Sequence, residues 1–299
     1  MRFHVESFTR RMGSKECFEF LEGIFSELGV LREDTTQCEQ EEVIHAENLL
    51  GFQILSYCNK YQHYLHLKSN ELLPITRCVF DVNELSEENF KNGGYFLKWA
   101  PSAGGRHVTY CNTLSDAHKM LAIQQTPMLN YVFCENVPNP RCVDGKKADL
   151  RVFAYIAQNG QAFIHSECAV RISDHELSVE NIDSQKTNVY GGASMIGSNE
   201  WPWGDISWER TRETLVAPLV KEYINQSAEY YRTSMPQILT LDVLLTTESK
   251  AFFIECNTGK GIFKPTSIPL KTTVIRDLLS FAHPTDNHGG FLPLGICIV

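Results

Sequence analysis

Apolar residues recur along this chain at two spacings, and the changeover falls near residue 131. In EEVIHAENLLGFQILSYCNKYQHYLHLK, residues 41–68, Ile44, Leu49, Phe52, Leu55 and Tyr64 keep the three-to-four spacing of a helix with one apolar face. A loop at Leu73-Pro74 follows, then a short strand near Cys78–Phe80. Tyr95–Trp99 reads as another strand, running into a glycine-containing loop that ends at Gly105. Ser115 is placed to cap a helix from Asp116 to about Gln124. From Tyr131 the pattern turns to strands: Tyr131–Cys134, Asp149–Ile156, Ala162–Ile172, Ile238–Leu245 and Ala251–Cys256. Between them Trp208–Tyr231 predicts one long amphipathic helix, with Leu215, Leu219, Tyr223 and Ala228 near one face and a kink at Pro218. Strands interleaved with helices make a mixed α+β architecture.

Composition narrows the class. The 299 residues suffice for one large unit or two to three small ones. With 43% hydrophobic and 21% charged residues, wholesale disorder is excluded. No apolar run approaches the roughly 18–20 residues of a membrane-spanning helix, and MRFHVESFTRRMGSKE has no signal-peptide core. A cytoplasmic protein without membrane contact is the expectation. The ten cysteines are scattered with no CxxC pair and mostly apolar neighbours, as in Gly295-Ile296-Cys297-Ile298. They read as buried reduced thiols, not a zinc site. A net charge of −9 and the lack of a long Lys/Arg block argue against a nucleic-acid partner.

The chemistry sits where charge interrupts apolar strands. Ile238–Leu245 would be an ordinary core strand but for Asp242, and a buried carboxylate is costly unless it is paired or bound to a cation. The next strand ends Ile254-Glu255-Cys256-Asn257, where Glu255 and Asn257 are two apart and share a face. The short polar segment Thr246–Lys250 predicts a hairpin that sets Asp242 roughly opposite residues 253–255. Three oxygen donors then converge, a set suited to Mg²⁺ carrying a nucleotide phosphate. Earlier, Lys147, Asp149 and Arg151 alternate with Ala148, Leu150 and Val152, so the charged residues share one face. Either they meet a triphosphate and a reacting carboxylate, or the strand is a solvent-facing edge with compensating charges. Lys98 interrupts another apolar strand and calls for an anion such as phosphate. The loop Ser102–Arg106 holds Gly104 and Gly105, whose backbone can approach phosphate oxygens. Glu135, after an apolar run, suits a hinge over adenine or ribose. Arg171 closes Glu167–Arg171 and is suited to bidentate carboxylate binding.

In this order the residues resemble the tubulin tyrosine ligase family, a branch of the ATP-grasp enzymes, from about residue 60 to 265. Lys147-Ala148-Asp149-Leu150-Arg151-Val152 is similar to the family's K-F-D-[IL]-R strand, and Ile254-Glu255-Cys256-Asn257 to its [IL]-E-[VI]-N ending. Leu73-Pro74-Ile75-Thr76 and Lys186-Thr187-Asn188 add weaker likeness. The chain departs from the pattern at His107, where the family has a glycine, and in its first 60 residues.

The resemblance implies an ATP-grasp fold with the nucleotide between two α+β lobes. It divides the chain into an N-terminal region 1–75, a central lobe 76–143 and a C-terminal lobe 144–299. It implies that Lys98, Gly104, Gly105, Glu135, Lys147 and Asp149 bind ATP. Arg151 and Arg171 would stabilise charge in the reaction, beside substrate-binding Thr187 and Asn188. Asp242, Glu255 and Asn257 would hold Mg²⁺. The implied activity joins an amino acid to a protein or peptide carboxylate through an acyl phosphate, with tubulin one candidate acceptor. Lys260, Lys264 and Lys271 would supply a basic patch for an acidic tail. A small-molecule ligase and an inactive ATP-binding interaction module remain as alternatives.

Overall fold

A computed structural model describes residues 2–4, 15–27, 29, 31–33, 64, 67, 78–91, 93–99, 108–123, 131–178, 187, 193–232, 236–258, 268–282 and 288–298. In chain order these form β1 (Arg2–His4), α1 (Lys15–Glu27), β2 (Leu31–Glu33), β3 (Cys78–Val79), β4 (Tyr95–Trp99) and β5 (Val108–Cys111). Next come α2 (Leu114–Ile123), β6 (Tyr131–Glu135), β7 (Cys142–Val143), β8 (Lys146–Ile156), β9 (Gln161–Glu176) and β10 (Ser194–Gly197). Then follow α3 (Trp208–Thr211), a π-helical stretch Arg212–Val216, α4 (Ala217–Gln226) and α5 (Ala228–Tyr231). The last are β11 (Gln237–Leu245), β12 (Ala251–Thr258), α6 (Ile268–Leu279) and β13 (Phe291–Cys297).

Three sheets result among the described residues. β1 and β2 pair in parallel, β3-β6-β4-β5 make a four-stranded antiparallel sheet, and β10-β9-β8-β11-β12 form the spine of a seven-stranded one. β13 joins its β9 side and β7 its β8 side. This mixed α/β arrangement with antiparallel sheets is compatible with an ATP-grasp-like fold. The strand expectations hold, with β8, β9 and β12 each extending beyond the sequence-derived range.

The two faces of the larger sheet differ, as alternation requires. Leu150, Val152 and Ala154 of β8, Val170 of β9, and Leu239, Leu241 and Val243 of β11 pack against Val216, Leu219, Val220 and Tyr223 of the helical layer. The opposite face of β8 is left to Lys147, Asp149 and Arg151. That strand is interior, flanked by β9 and β11, so the solvent-facing-edge alternative falls.

Two helix expectations need correction. The helix after β5 begins at Leu114, because Thr113, not Ser115, caps it. The Thr113 hydroxyl accepts from the Asp116 N–H and the Asp116 carboxylate accepts from the Thr113 N–H, both at 3.1 Å. The expected continuous Trp208–Tyr231 helix is divided, with a π-helical stretch running up to the turn that holds Pro218 and a break at Ser227. Proline lacks an N–H and its ring crowds the preceding turn, and a wider π turn accommodates both.

Most of the expected 41–68 helix lies outside the described residues. Two buried side chains within it are described, Tyr64 and Leu67. Lys271, expected in an exposed basic patch, is fully buried on α6, while Lys260 and Lys264 lie outside the described residues. Cys297 is exposed instead of buried, at the end of β13 beyond an irregularity in its pairing with β9; Cys111, Cys134 and Cys168 are buried thiols.

Candidate active site

Antiparallel register builds the site. Asp242 of β11 lies directly across from Glu255 of β12 on one side and from Arg151 of β8 on the other. One strand further, Asp149 lies across from Arg171 of β9. Directly opposed residues in a ladder share a face, so four neighbouring strands present Glu255, Asp242, Arg151, Asp149 and Arg171 together. A register shift between Asp242 and Val243 marks a bulge beside Asp242, a device that re-aims side chains. Asn257, two residues beyond Glu255, faces Thr240 across the ladder.

The carboxylates and guanidiniums are interlocked. Arg171 grips Asp149 through two parallel bonds, Nε to Oδ1 at 2.7 Å and Nη2 to Oδ2 at 2.6 Å. Its Nη2 also reaches Asp242 Oδ2 at 2.9 Å. Arg151 holds Asp242 through Nε at 3.0 Å and Nη2 at 3.1 Å. Thr187 Oγ1 donates to Asp149 Oδ2 at 2.5 Å. The buried Asp242 is therefore paired, as its burial demands, and its partners are arginines of the same sheet. The carboxylate that Arg171 binds bidentately is an internal one.

Burial acts against every charge here. It disfavours the Arg171 guanidinium, but Asp149, Asp242 and Glu255 outweigh it and hold the pKa above the usual arginine value. Burial also pushes the Asp149 carboxyl up, opposed by Arg171 and Thr187 and assisted by Asp242. The two short parallel bonds to Arg171 are those of an ionised carboxylate. Lys147, almost fully buried, is lowered to about 8, by burial first, with the positive charge of Lys98 adding to the effect and Asp149 opposing it.

Lys98 comes from the smaller sheet. Its Nζ donates to the Tyr64 hydroxyl at 3.0 Å, and Tyr64 in turn donates to the Ile254 carbonyl on β12. Lys147 Nζ sits 5.1 Å from the ring centre of Phe96 on β4. The two sheets thus meet where each offers an ammonium. Glu135 ends β6, at the point where the chain leaves the smaller sheet for β7 and β8 of the larger. Gly104, Gly105, His107 and Asn188 lie outside the described residues.

Two features escaped sequence reasoning. Thr240 is fully buried, and its hydroxyl has no hydrogen-bond partner among the described residues. It lies two residues from Asp242 on the same strand, a polar interruption as visible in the sequence as the aspartate. Arg141, buried between the two sheets' connection and the β11–β12 hairpin, is the other.

The donor set fits a hard cation. Among the described residues no three His, Cys, Asp or Glu side chains gather into a self-sufficient metal site. Mg²⁺ held largely by substrate phosphates needs only one or two carboxylates. Asp242 and Glu255 with the Asn257 carboxamide suit that need, and the Thr240 hydroxyl, without a partner among the described residues, adds an oxygen on the same face.

A charged face spread over neighbouring strands of an antiparallel sheet, opposed by a lysine of a second sheet, defines a class compatible with ATP-grasp proteins. Residues 44–190, just under half of the chain, match the tubulin-tyrosine ligase family, and over this stretch the chain is similar to that family. The match takes in Lys98, Glu135, Lys147, Asp149, Arg151, Arg171 and Thr187, and it stops before the Asp242–Glu255 hairpin. No curated protein matches the chain. Among the described residues no helix is long and apolar enough to cross a membrane.

Proposed function

We propose that the chain is an ATP-dependent carboxylate–amine ligase that adds an amino acid to a protein or peptide carboxylate, with tubulin one candidate acceptor. The observation that supports it most directly is the pairing of Lys147 and Lys98. Two ammonium groups from two sheets stand close enough to disfavour each other, one of them almost fully buried. A polyanion between the sheets relieves both costs at once, and a triphosphate is such an anion.

In this reading Lys98, Lys147 and the Gly104-Gly105 backbone hold the phosphates, and Glu135 lies along the adenine or ribose. Asp149 keeps Arg171 and Thr187 in place, with Asn188 alongside. Arg151 and Arg171 offset negative charge on the transferring phosphoryl group and on the substrate carboxylate. Mg²⁺, held by Asp242, Glu255 and Asn257, neutralises phosphate charge when bound. The acceptor's carboxylate oxygen attacks the γ-phosphorus and ADP leaves. The amine of the incoming amino acid then attacks the acyl carbon, phosphate leaves and the amine loses a proton. Positioning and electrostatics suffice, so no protein nucleophile is required. The lobes at 76–143 and 144–299, preceded by a region at 1–75, belong to the same proposal.

The test is ADP release with each of the twenty amino acids, with and without peptide or tubulin acceptors. The reading expects turnover that needs both an amino acid and an acceptor carboxylate. Turnover without any protein or peptide acceptor would assign a small-molecule ligase. Nucleotide binding without amino-acid-dependent turnover would assign an inactive module. The closed Asp242–Arg151–Arg171 network, satisfied within the protein, is the observation that favours that second reading.

A further inference from the structure

The connection between the sheets, residues 136–141, carries more fixings than a passive linker needs. Its first residue is tied to the smaller sheet, Asn136 N–H donating to the Gly94 carbonyl at 2.9 Å. Its last residues are tied to the larger one. Arg141 N–H donates to the Leu245 carbonyl at 2.8 Å, Thr247 N–H to the Asn139 carbonyl at 3.0 Å, and Ala148 N–H to the Arg141 carbonyl at 3.2 Å. The Arg141 backbone therefore touches both the strand that carries Lys147 and the end of the strand that carries Asp242.

The Arg141 side chain then clamps this junction. Its Nη1 and Nη2 bind Asp205 Oδ1 and Oδ2 at 2.7 and 2.6 Å, and Nε donates to the Thr246 carbonyl at 3.3 Å. The guanidinium lies 5.8 Å from the centre of a Trp203 ring, and Trp203 Nε1 donates to the Cys142 carbonyl at 2.9 Å. The Arg141 side chain is 10% exposed and that of Asp205 is 62% exposed. An exposed carboxylate on a tryptophan-braced loop thus reaches in to hold a buried guanidinium. Every donor nitrogen of that fork is used, and a lysine could not reproduce it.

We propose that Arg141, held by Asp205, is a positioning residue that sets the relation between Glu135 and Lys147 and so shapes the nucleotide site; this rests on the ligase reading above. Arg141 touches no reacting group. It fixes the main chain six residues after Glu135 and six before Lys147, on the side where the hairpin bearing Asp242 and Glu255 turns. Loosening it leaves the site's own side chains unchanged and alters their spacing.

The test uses the full chain with Asp205→Ala, Arg141→Lys and the double variant. Asp205 is exposed, so Asp205→Ala keeps the fold even if an Arg141 variant does not. Binding of a fluorescent ATP analogue and amide hydrogen exchange over residues 136–147 are measured for each. Expected are a rise in the dissociation constant of roughly tenfold, the size usual for loss of a supporting contact, and faster exchange in that segment. The double variant should be no worse than Arg141→Lys alone. Unchanged exchange in Asp205→Ala would overturn the clamp, and faster exchange with unchanged analogue affinity would overturn its link to the nucleotide. Absence of analogue binding by the unmodified chain would instead sink the ligase reading, while exchange would still judge the clamp.

Discussion

Asp242 is held by two guanidiniums, so its replacement has two consequences. Asp242→Asn is expected to abolish amino-acid-dependent ADP release and also to destabilise the fold by about 3–5 kcal/mol, the usual result of breaking a buried ion pair from one side. Glu255 is half-buried on the outer strand of this row, and Glu255→Gln should abolish turnover with a much smaller loss of stability. Urea denaturation beside ADP assays separates the two, and wild-type turnover in either variant would refute the metal assignment. Lys147 has a pH signature. Burial holds its pKa near 8, below the ordinary lysine value of 10.5, so the folded state releases its proton first. The cost of burying that charge is fully present below pH 8 and is relieved as pH rises from 8 towards 10.5. Over that window wild-type stability should rise relative to Lys147→Met, by an amount on the order of 3 kcal/mol at most. Nucleotide affinity should move the other way, because a neutral amine no longer attracts phosphate.

At the scale of elements, the C-terminal segment is bolted to β9 by an Asp–His contact. His165 Nε2 and Asp277 Oδ2 are 3.0 Å apart, the Glu167 N–H donates to His165 Nδ1, and the Gly290 N–H donates to the same Asp277 oxygen at 2.7 Å. With Nδ1 accepting, the ring proton lies on Nε2 and points at Asp277. A Cβ at Gly290 would stand 2.7 Å from Asp277 Oδ2 and 2.8 Å from His165 Nε2. Gly290→Ala should therefore destabilise by about 1–3 kcal/mol through overpacking. Gly204→Ala, with nothing within 4 Å of the new methyl, is the control and should stay within about 0.5 kcal/mol. Thermal unfolding of both variants decides; equal midpoints would mean that this contact does not hold the segment.

At the scale of the whole molecule, a polyanion bound between the two sheets would relieve the repulsion between Lys147 and Lys98. Ligand binding to the folded state alone adds about 2.7 kcal/mol of stability at a hundred times the dissociation constant. Saturating MgATP should therefore raise the unfolding temperature of the wild type. Lys98→Met should lose most of that rise while its unliganded midpoint changes little, since Lys98 is only half-buried. A thermal shift that survived intact in Lys98→Met would remove the smaller sheet from the nucleotide site.

Periodicity alone determined much of this protein. Alternation in Lys146–Ile156 put Lys147, Asp149 and Arg151 on one face, and the polar Thr246–Lys250 turn brought Asp242 opposite Glu255, because both relations depend on neighbours along one strand or one hairpin. Tertiary structure decided the rest. Whether β8 lay at an edge or inside depended on β9 and β11, from distant stretches of chain, and with it whether three charged residues met water or each other. The same holds for Lys271, buried by helix docking, and for Arg141 and Asp205, which are 64 residues apart and show no local pattern. Spacing is a property of a short segment. Burial and ion pairing are properties of whichever segments the folded chain brings alongside.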